Sequence, residues 1–388
     1  MKFRDGNRID LLRNGEQYFP ALEQAIDSAK NEIYLETYIF ALDATGDRIS
    51  QALLRAATRG VTVRLLVDGF GSRLFERRLH PLLLTQGVQS LVFRPEISLF
   101  RLRRTRLRRL HRKLVVIDRK VGFCGGINII DDFDATAPGH PRFDYAVCVR
   151  GPMIADMYAA VRSAWMRSAW TGKRQRWSAP LGPRPDGSVF PGGHRAAFLV
   201  RDNFRHRHDI EQAYLAAIRA AGSEIVIASA YFLPGKRFRQ ALIEARSRGV
   251  RVILLLQGRI EYVLIHYATR ALYQQLLEAD IEIHEYQRSY LHAKVAVVDL
   301  RWATVGSSNI DPISLLLARE ANVVVENEAF AAELRDSLRL AMTLGAKPVT
   351  LQHAHQMRLA TRVMTWIAYG AVRILTGISS YGRTRDFL

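Results

Sequence analysis

The segment HRKLVVID, His111–Asp118, is followed, after six intervening residues, by Gly125, Gly126 and Asn128, giving the pattern HxKxxxxDxxxxxxGGxN. The chain writes it again as HAKVAVVD, His292–Asp299, followed by Gly306, Ser307 and Asn309 at identical spacing. One copy of such a pattern carries little weight, because it arises by chance at ordinary residue frequencies. Two copies at matching places in a duplicated chain carry much more. LVVID and VAVVD have the β-branched, apolar character of buried strands, in which successive side chains alternate faces. His111 and Lys113 therefore share a face, as do His292 and Lys294. Asp118 and Asp299 fall on the other face at the strand's far end, a parity that makes them braces for the loop behind a site. The glycines at 125, 126 and 306 leave room for close approach to the backbone, and Asn128 and Asn309 offer hydrogen-bond donors beside it.

The duplication extends outward from these segments. AIDSAKNEIYLETYIF (Ala25–Phe40) matches AIRAAGSEIVIASAYF (Ala217–Phe232), each reading as a helix end, a polar turn and a strand. QALLRAATRGVTVRLLVDG (Gln51–Gly69) matches QALIEARSRGVRVILLLQG (Gln240–Gly258), each an amphipathic helix stopped by a glycine and followed by a β-branched strand. The first half carries an insertion between Gly69 and His111. Helix–strand alternation in two copies predicts a duplicated α/β/α sandwich whose halves meet about a pseudo-twofold axis and share one active site. The expected units are 1–170, a Pro- and Gly-rich linker 171–194, a second domain 195–350, and a tail 351–388.

Of 388 residues, 56 are Lys or Arg, and the formal charge is +19. Only 8 of those 56 are lysine. Arginine-rich positive charge fits phosphate-bearing partners, nucleic acid and anionic membrane alike. The two cysteines provide neither a disulfide framework nor a metal cluster. Neither a signal peptide nor an uncharged apolar run long enough to span a bilayer is evident. Two histidines, two lysines and two asparagines converging on one axis suit a phosphodiester. The lysines and asparagines would hold the non-bridging oxygens, one imidazole would attack phosphorus, and the other would protonate the leaving oxygen.

These paired motifs resemble those of the phospholipase D superfamily. NGEQYFPAL, LETYIF, VDGFGS, DYAVCVRGP and ATVGSSNIDPISLLLAREANV resemble the bacterial cardiolipin synthases of the short class, without N-terminal transmembrane helices. The resemblance implies a two-step phosphatidyl transfer through a phosphohistidine, with no metal and no cofactor. His111 is then the nucleophile and His292 the acid/base, and Lys113, Lys294, Asp118 and Asp299 complete the catalytic motifs. Asp144 and Glu320, which follow the two motifs, would orient the histidines. Phosphatidylglycerol and an anionic membrane surface are the implied partners, with no nucleic acid and a peripheral place on the cytoplasmic face of the bacterial inner membrane. Rival readings are a phospholipid hydrolase, a transphosphatidylase with another acceptor, a nuclease, or a nonenzymatic binder of anionic membrane or nucleic acid.

Two further segments bear on membranes. FRLRRTRLRRLHRK, Phe100–Lys113, places eight cations in thirteen residues beside His111 and reads as an imperfect basic amphipathic helix over Leu99–Leu110. Near the C-terminus Arg358, Arg362, Thr365, Tyr369, Arg373 and Thr376 form a narrow polar stripe. The remaining surface holds Val363, Met364, Trp366, Ile367 and Val372, the pattern of a helix lying in a lipid interface or packed on the protein's own body. His353 and His355 read as surface residues.

Overall fold

The computed structural model describes residues 1–94, 108–133, 140–172, 177, 185, 187–202, 206–311, 318–352 and 359–380. Most of the basic segment, residues 95–107, the linker residues 173–176, 178–184 and 186, and His353 and His355 lie outside them. The first half contributes β1 (Arg4–Arg13), β2 (Glu32–Thr37), β3 (Thr62–Asp68), β4 (Gln89–Phe93), β5 (Arg109–Leu110), β6 (Lys113–Ile117), β7 (Val121–Gly125) and β8 (Tyr145–Arg150). The second contributes β9 (His194–Arg201), β10 (Glu224–Ser229), β11 (Arg251–Gln257), β12 (Glu282–Tyr286), β13 (Lys294–Val298), β14 (Trp302–Gly306), β15 (Ala318–Glu326) and β16 (Ala346–Val349).

The strand order states the duplication. From the centre outward the first half runs β1-β8-β7-β6-β2-β3-β4 and the second β9-β15-β14-β13-β10-β11-β12-β16, joined by antiparallel pairing of β1 with β9. Within each half, β2-β3-β4 and β10-β11-β12 are parallel, and the motif strands β6 and β13 run against them. The repeats fold as their patterns dictate. Helix Ala44–Thr58 ends before Gly60 at φ +84, and helix Lys236–Ser247 before Gly249 at φ +89, a conformation that glycine adopts without a Cβ penalty.

Strands β7 and β8 pack against β14 and β15, so the two halves touch through more than their sheet junction. The shared core between them takes Leu114, Tyr145 and Trp165 from one half and Val295, Val323 and Leu334 from the other. Tyr145 Oη and Ser337 Oγ, 2.7 Å apart, share a hydrogen bond across it. Each half also has its own core on the opposite sheet face.

Asp118 and Asp299 are placed as strand parity predicts, and this corrects their inclusion in the catalytic set. Each opens the turn between its motif strand and the next, with positive φ at Asp118 and Arg119 (49° and 56°) and at Asp299 and Leu300 (51° at both). Asp118 accepts the backbone N–H groups of Lys30, Asn31 and Glu32 at 2.7–2.9 Å, and Asp299 those of Gly222, Ser223 and Glu224 at 2.7–2.9 Å. At about 3.3 Å per residue they stand roughly 20 Å along the strand from the histidines. Burial alone would raise the Asp299 carboxyl, but the N–H groups of Gly222 and Glu224 hold it below its ordinary value.

The C-terminal helix, Leu359–Ser380, inverts the expectation for its stripe. It packs on helix Val263–Arg270 through Thr365, Ala368 and Val372, all buried, with Tyr369 partly buried. Val363, Met364, Trp366, Ile367 and Ile374 face outward. Of the polar stripe, Thr365 is thus buried and Tyr369 and Arg373 partly so, while much of the apolar face points outward; the side chains of Arg358, Arg362 and Thr376 lie outside the described residues.

Asp118→Ala and Asp299→Ala should each lower stability by about 2 kcal/mol, the loss expected when charge-assisted hydrogen bonds are removed. Thermal unfolding checks it. The Asp299 contribution, present above the unfolded-state pKa, is lost as pH falls through the depressed folded value, so the Asp299→Ala penalty should shrink in acid.

Candidate active site

Two long-range pairings assemble the centre. β5 runs parallel to β15 of the other half, and the His111 N–H donates to Arg319 O at 3.0 Å. In the mirrored place Phe143 bridges to Leu291, and the His292 N–H donates to Phe143 O at 2.8 Å. Each histidine is thereby laid beside the carboxylate-bearing strand of the opposite half. The segments are tethered alike from behind. The Leu110 N–H donates to Asp68 Oδ2 at 2.8 Å, and the Leu291 N–H to Gln257 Oε1 at 3.3 Å.

The consequence is a crossed pair of contacts. His111 Nδ1 lies 2.9 Å from Glu320 Oε1, and His292 Nδ1 lies 2.6 Å from Asp144 Oδ2. A carboxylate accepts, so each Nδ1 carries the proton and each Nε2 is left for chemistry. Glu320 is fully buried and also accepts the Ser307 hydroxyl at 2.6 Å. Asp144 accepts the Tyr145 N–H at 2.8 Å and lies 3.8 Å from Lys294 Nζ. Burial raises the Asp144 carboxyl to about 6.

Lys113 and Lys294 are buried, each donating to the carbonyl of the histidine two residues before it. Burial, reinforced by the charge of Lys294, lowers the Lys113 ammonium to about 7. Burial lowers Lys294 to about 8, against the opposing pull of Asp144. Burial also depresses His111 despite Glu320, and burial with both lysines depresses His292 well below its ordinary value.

His111, His292, Asn128, Asn309 and Asp144 line one cavity of about 520 Å³, in the size range of small-molecule sites. Asn128 Oδ1 accepts the Ile39 N–H at 3.1 Å, which turns its amide nitrogen away from that contact. Lys113, Lys294 and Glu320 stand behind this lining. The motif glycines do not open space for a ligand. A Cβ at Gly125 would strike Ala146, one at Gly126 the Asp144 carboxylate, and one at Gly306 the Asn322 side chain. The close approach is made by the neighbouring strand.

The cavity also collects residues that the motifs did not announce: Tyr38, Phe70, Arg109, Asp132, Arg142, Tyr231, Glu261 and Asp311. Their shared signal is position, since Tyr38, Phe70, Tyr231 and Glu261 each follow the carboxyl end of β2, β3, β10 or β11, where sheets of this kind open a crevice. The Tyr38 ring packs on His111 at 4.9 Å between centroids. Among the described residues, no group of three His, Cys, Asp or Glu side chains has a metal-binding arrangement.

The chain is similar to known proteins over most of its length. The family model for cardiolipin synthase, PLD-like domain, matches residues 22–135 and 214–340. Cardiolipin synthase B of Escherichia coli is 39% identical over 346 residues, covering 87% of this chain and 80% of the relative. Cardiolipin synthase A of Proteus mirabilis is 32% identical over 337 residues, covering 85% and 68%. Among solved structures, phosphatidylserine synthase of Haemophilus influenzae shares the fold at a TM-score of 0.71 and 12% identity, over 95% of this chain and 94% of that one. By these likenesses, and by the duplicated motifs they span, the chain belongs to the cardiolipin synthase family of the phospholipase D superfamily.

Proposed function

We propose that this chain is a phosphatidyltransferase that joins two phosphatidylglycerol molecules into cardiolipin and free glycerol. The observation that carries the reading is the crossed arrangement of His111 with Glu320 and His292 with Asp144 in one cavity, backed by two buried lysines. His111 Nε2 attacks the phosphorus of the donor lipid, and the P–O bond to glycerol breaks as His292 delivers a proton to the departing oxygen. The depressed histidine keeps His111 unprotonated and nucleophilic. The phosphodiester charge offsets the lysines that hold His292 down, so His292 takes up its proton along with substrate. His292 then removes the proton from the acceptor hydroxyl, whose oxygen displaces His111 from phosphorus. Asn128 and Asn309 steady the non-bridging oxygens, with Lys113 and Lys294 supplying positive charge from behind.

A cavity of this size accepts headgroups while acyl chains remain at its mouth, so the mouth belongs at a lipid surface. Phe70, Ile260, Tyr262, Val263 and Leu264 are exposed, and helix Val263–Arg270 carries Ile265 into the cavity lining while supporting the C-terminal helix. No helix among the described residues is long and apolar enough to cross a membrane. We read the outward face of the C-terminal helix as a peripheral attachment to anionic bilayer at the cytoplasmic surface, where bilayer charge complements a net charge of +19.

Three outcomes are expected. His111→Ala and His292→Ala should each reduce cardiolipin formation from phosphatidylglycerol at least about 100-fold, with the far-ultraviolet spectrum unchanged; a folded variant retaining a tenth of the activity contradicts the paired mechanism. Dimethyl phosphate, whose own charge is constant, should bind more weakly as pH rises from about 7 to 9, because the lysines lose their protons across that window; titration calorimetry should also register proton uptake on binding. Trp366→Glu combined with Ile367→Glu should weaken binding to phosphatidylglycerol vesicles by about tenfold or more while sparing turnover of detergent-dispersed lipid, since burying such side chains contributes roughly 1.5–3 kcal/mol each. The double substitution is cleaner than removing Thr361–Leu388, which would also uncover the partners of Ala368 and Val372.

A further inference from the structure

The two ends of the cavity are not alike. Where Tyr38 packs on His111, the repeat alignment puts Ala230 in the second half, and Tyr231 takes the place of Ile39. Near His292 the cavity wall holds a charged cluster. Tyr231 Oη donates to Glu261 Oε2 at 2.7 Å, and Arg142 Nη1 lies 3.3 Å from Glu261 Oε1. Arg142 is carried two residues ahead of Asp144, the partner of His292, and its guanidinium lies over Tyr290, two residues ahead of His292. The charge of Glu261 also acts directly on His292. All of Arg142, Tyr231, Glu261 and His292 line the cavity.

A phosphohistidine is open to two nucleophiles. With an alcohol, the O–H proton passes to His292, an O–P bond forms, and the P–N bond to His111 breaks with its electron pair returning to the ring. With water the same movements give phosphatidic acid. Water is present at far higher concentration, so transfer wins only where the alcohol is held in place. A polyol needs fixed hydrogen-bond acceptors and donors beside the base. Glu261 supplies carboxylate oxygens held at both ends, one by Tyr231 and one by Arg142. Its pairing with Arg142 offsets its charge, which fits neutral hydroxyls better than an ammonium group.

We propose that Glu261, held by Tyr231 and Arg142, binds the headgroup hydroxyls of the acceptor lipid beside His292 and thereby sets transfer above hydrolysis. The inference rests on the phosphatidyl-transfer reading. The test supplies phosphatidylglycerol in detergent micelles and measures the ratio of cardiolipin to phosphatidic acid formed, a quantity independent of how much enzyme is active. Glu261→Gln should lower the ratio about tenfold or more, the loss typical of a charge-assisted hydrogen bond. Tyr231→Phe, which keeps the ring and removes the hydroxyl that holds Glu261, should lower it in the same direction. A ratio within twofold of wild type in Glu261→Gln, or in Tyr231→Phe should the first variant fail to fold, overturns the proposal. A wild-type enzyme that makes phosphatidic acid and no cardiolipin overturns the transfer reading itself, and the assignment of Glu261 with it.

Discussion

The structure depends on one constraint: each motif histidine is oriented by a carboxylate that belongs to the other half. His111 needs Glu320 and His292 needs Asp144, and both bonds exist only while β5 lies along β15 and Phe143 bridges to Leu291. The β1–β9 junction and the shared core hold that register. A shift of one residue in either pairing would turn the carboxylate to the wrong face of its strand. The extensive contact between halves thus sets the tautomer and ring orientation of both histidines.

The same packing sets the electrostatics. Two ammonium groups and two imidazoles are taken out of water, and burial depresses all four. On the proposed mechanism, a phosphodiester would favour the protonated forms of these groups, so that binding and protonation would be one event.

Much of this was legible in the sequence because it is local. Period-two strands fixed the faces of His111, Lys113 and Asp118, and glycine stops at Gly60 and Gly249 marked the repeated helix–strand units. What was not legible is long-range. Nothing near Asp144 in the chain says that it serves His292, and Glu261 and Arg142 meet only after the halves close. The C-terminal helix left two packings open, and the side that turns inward was not legible either. A polar stripe normally faces water, but Thr365, Ala368 and Val372 are small enough to form a close seam with helix Val263–Arg270, and that steric fit decided which side turned inward.

The unlike residues after the two motifs form two pairs, each within one half, whose members cannot be revised singly. Gly126 is pressed against the Asp144 carboxylate, whereas Ser307 donates its hydroxyl to the longer Glu320. A serine introduced at 126 meets a carboxylate with no room to retreat, and a glycine at 307 strips Glu320 of a donor in a dry interior. The short acid with glycine and the long acid with serine are therefore matched sets. A change that moved one member across the repeat without its mate would yield a chain with a complete set of motifs and a misaligned imidazole.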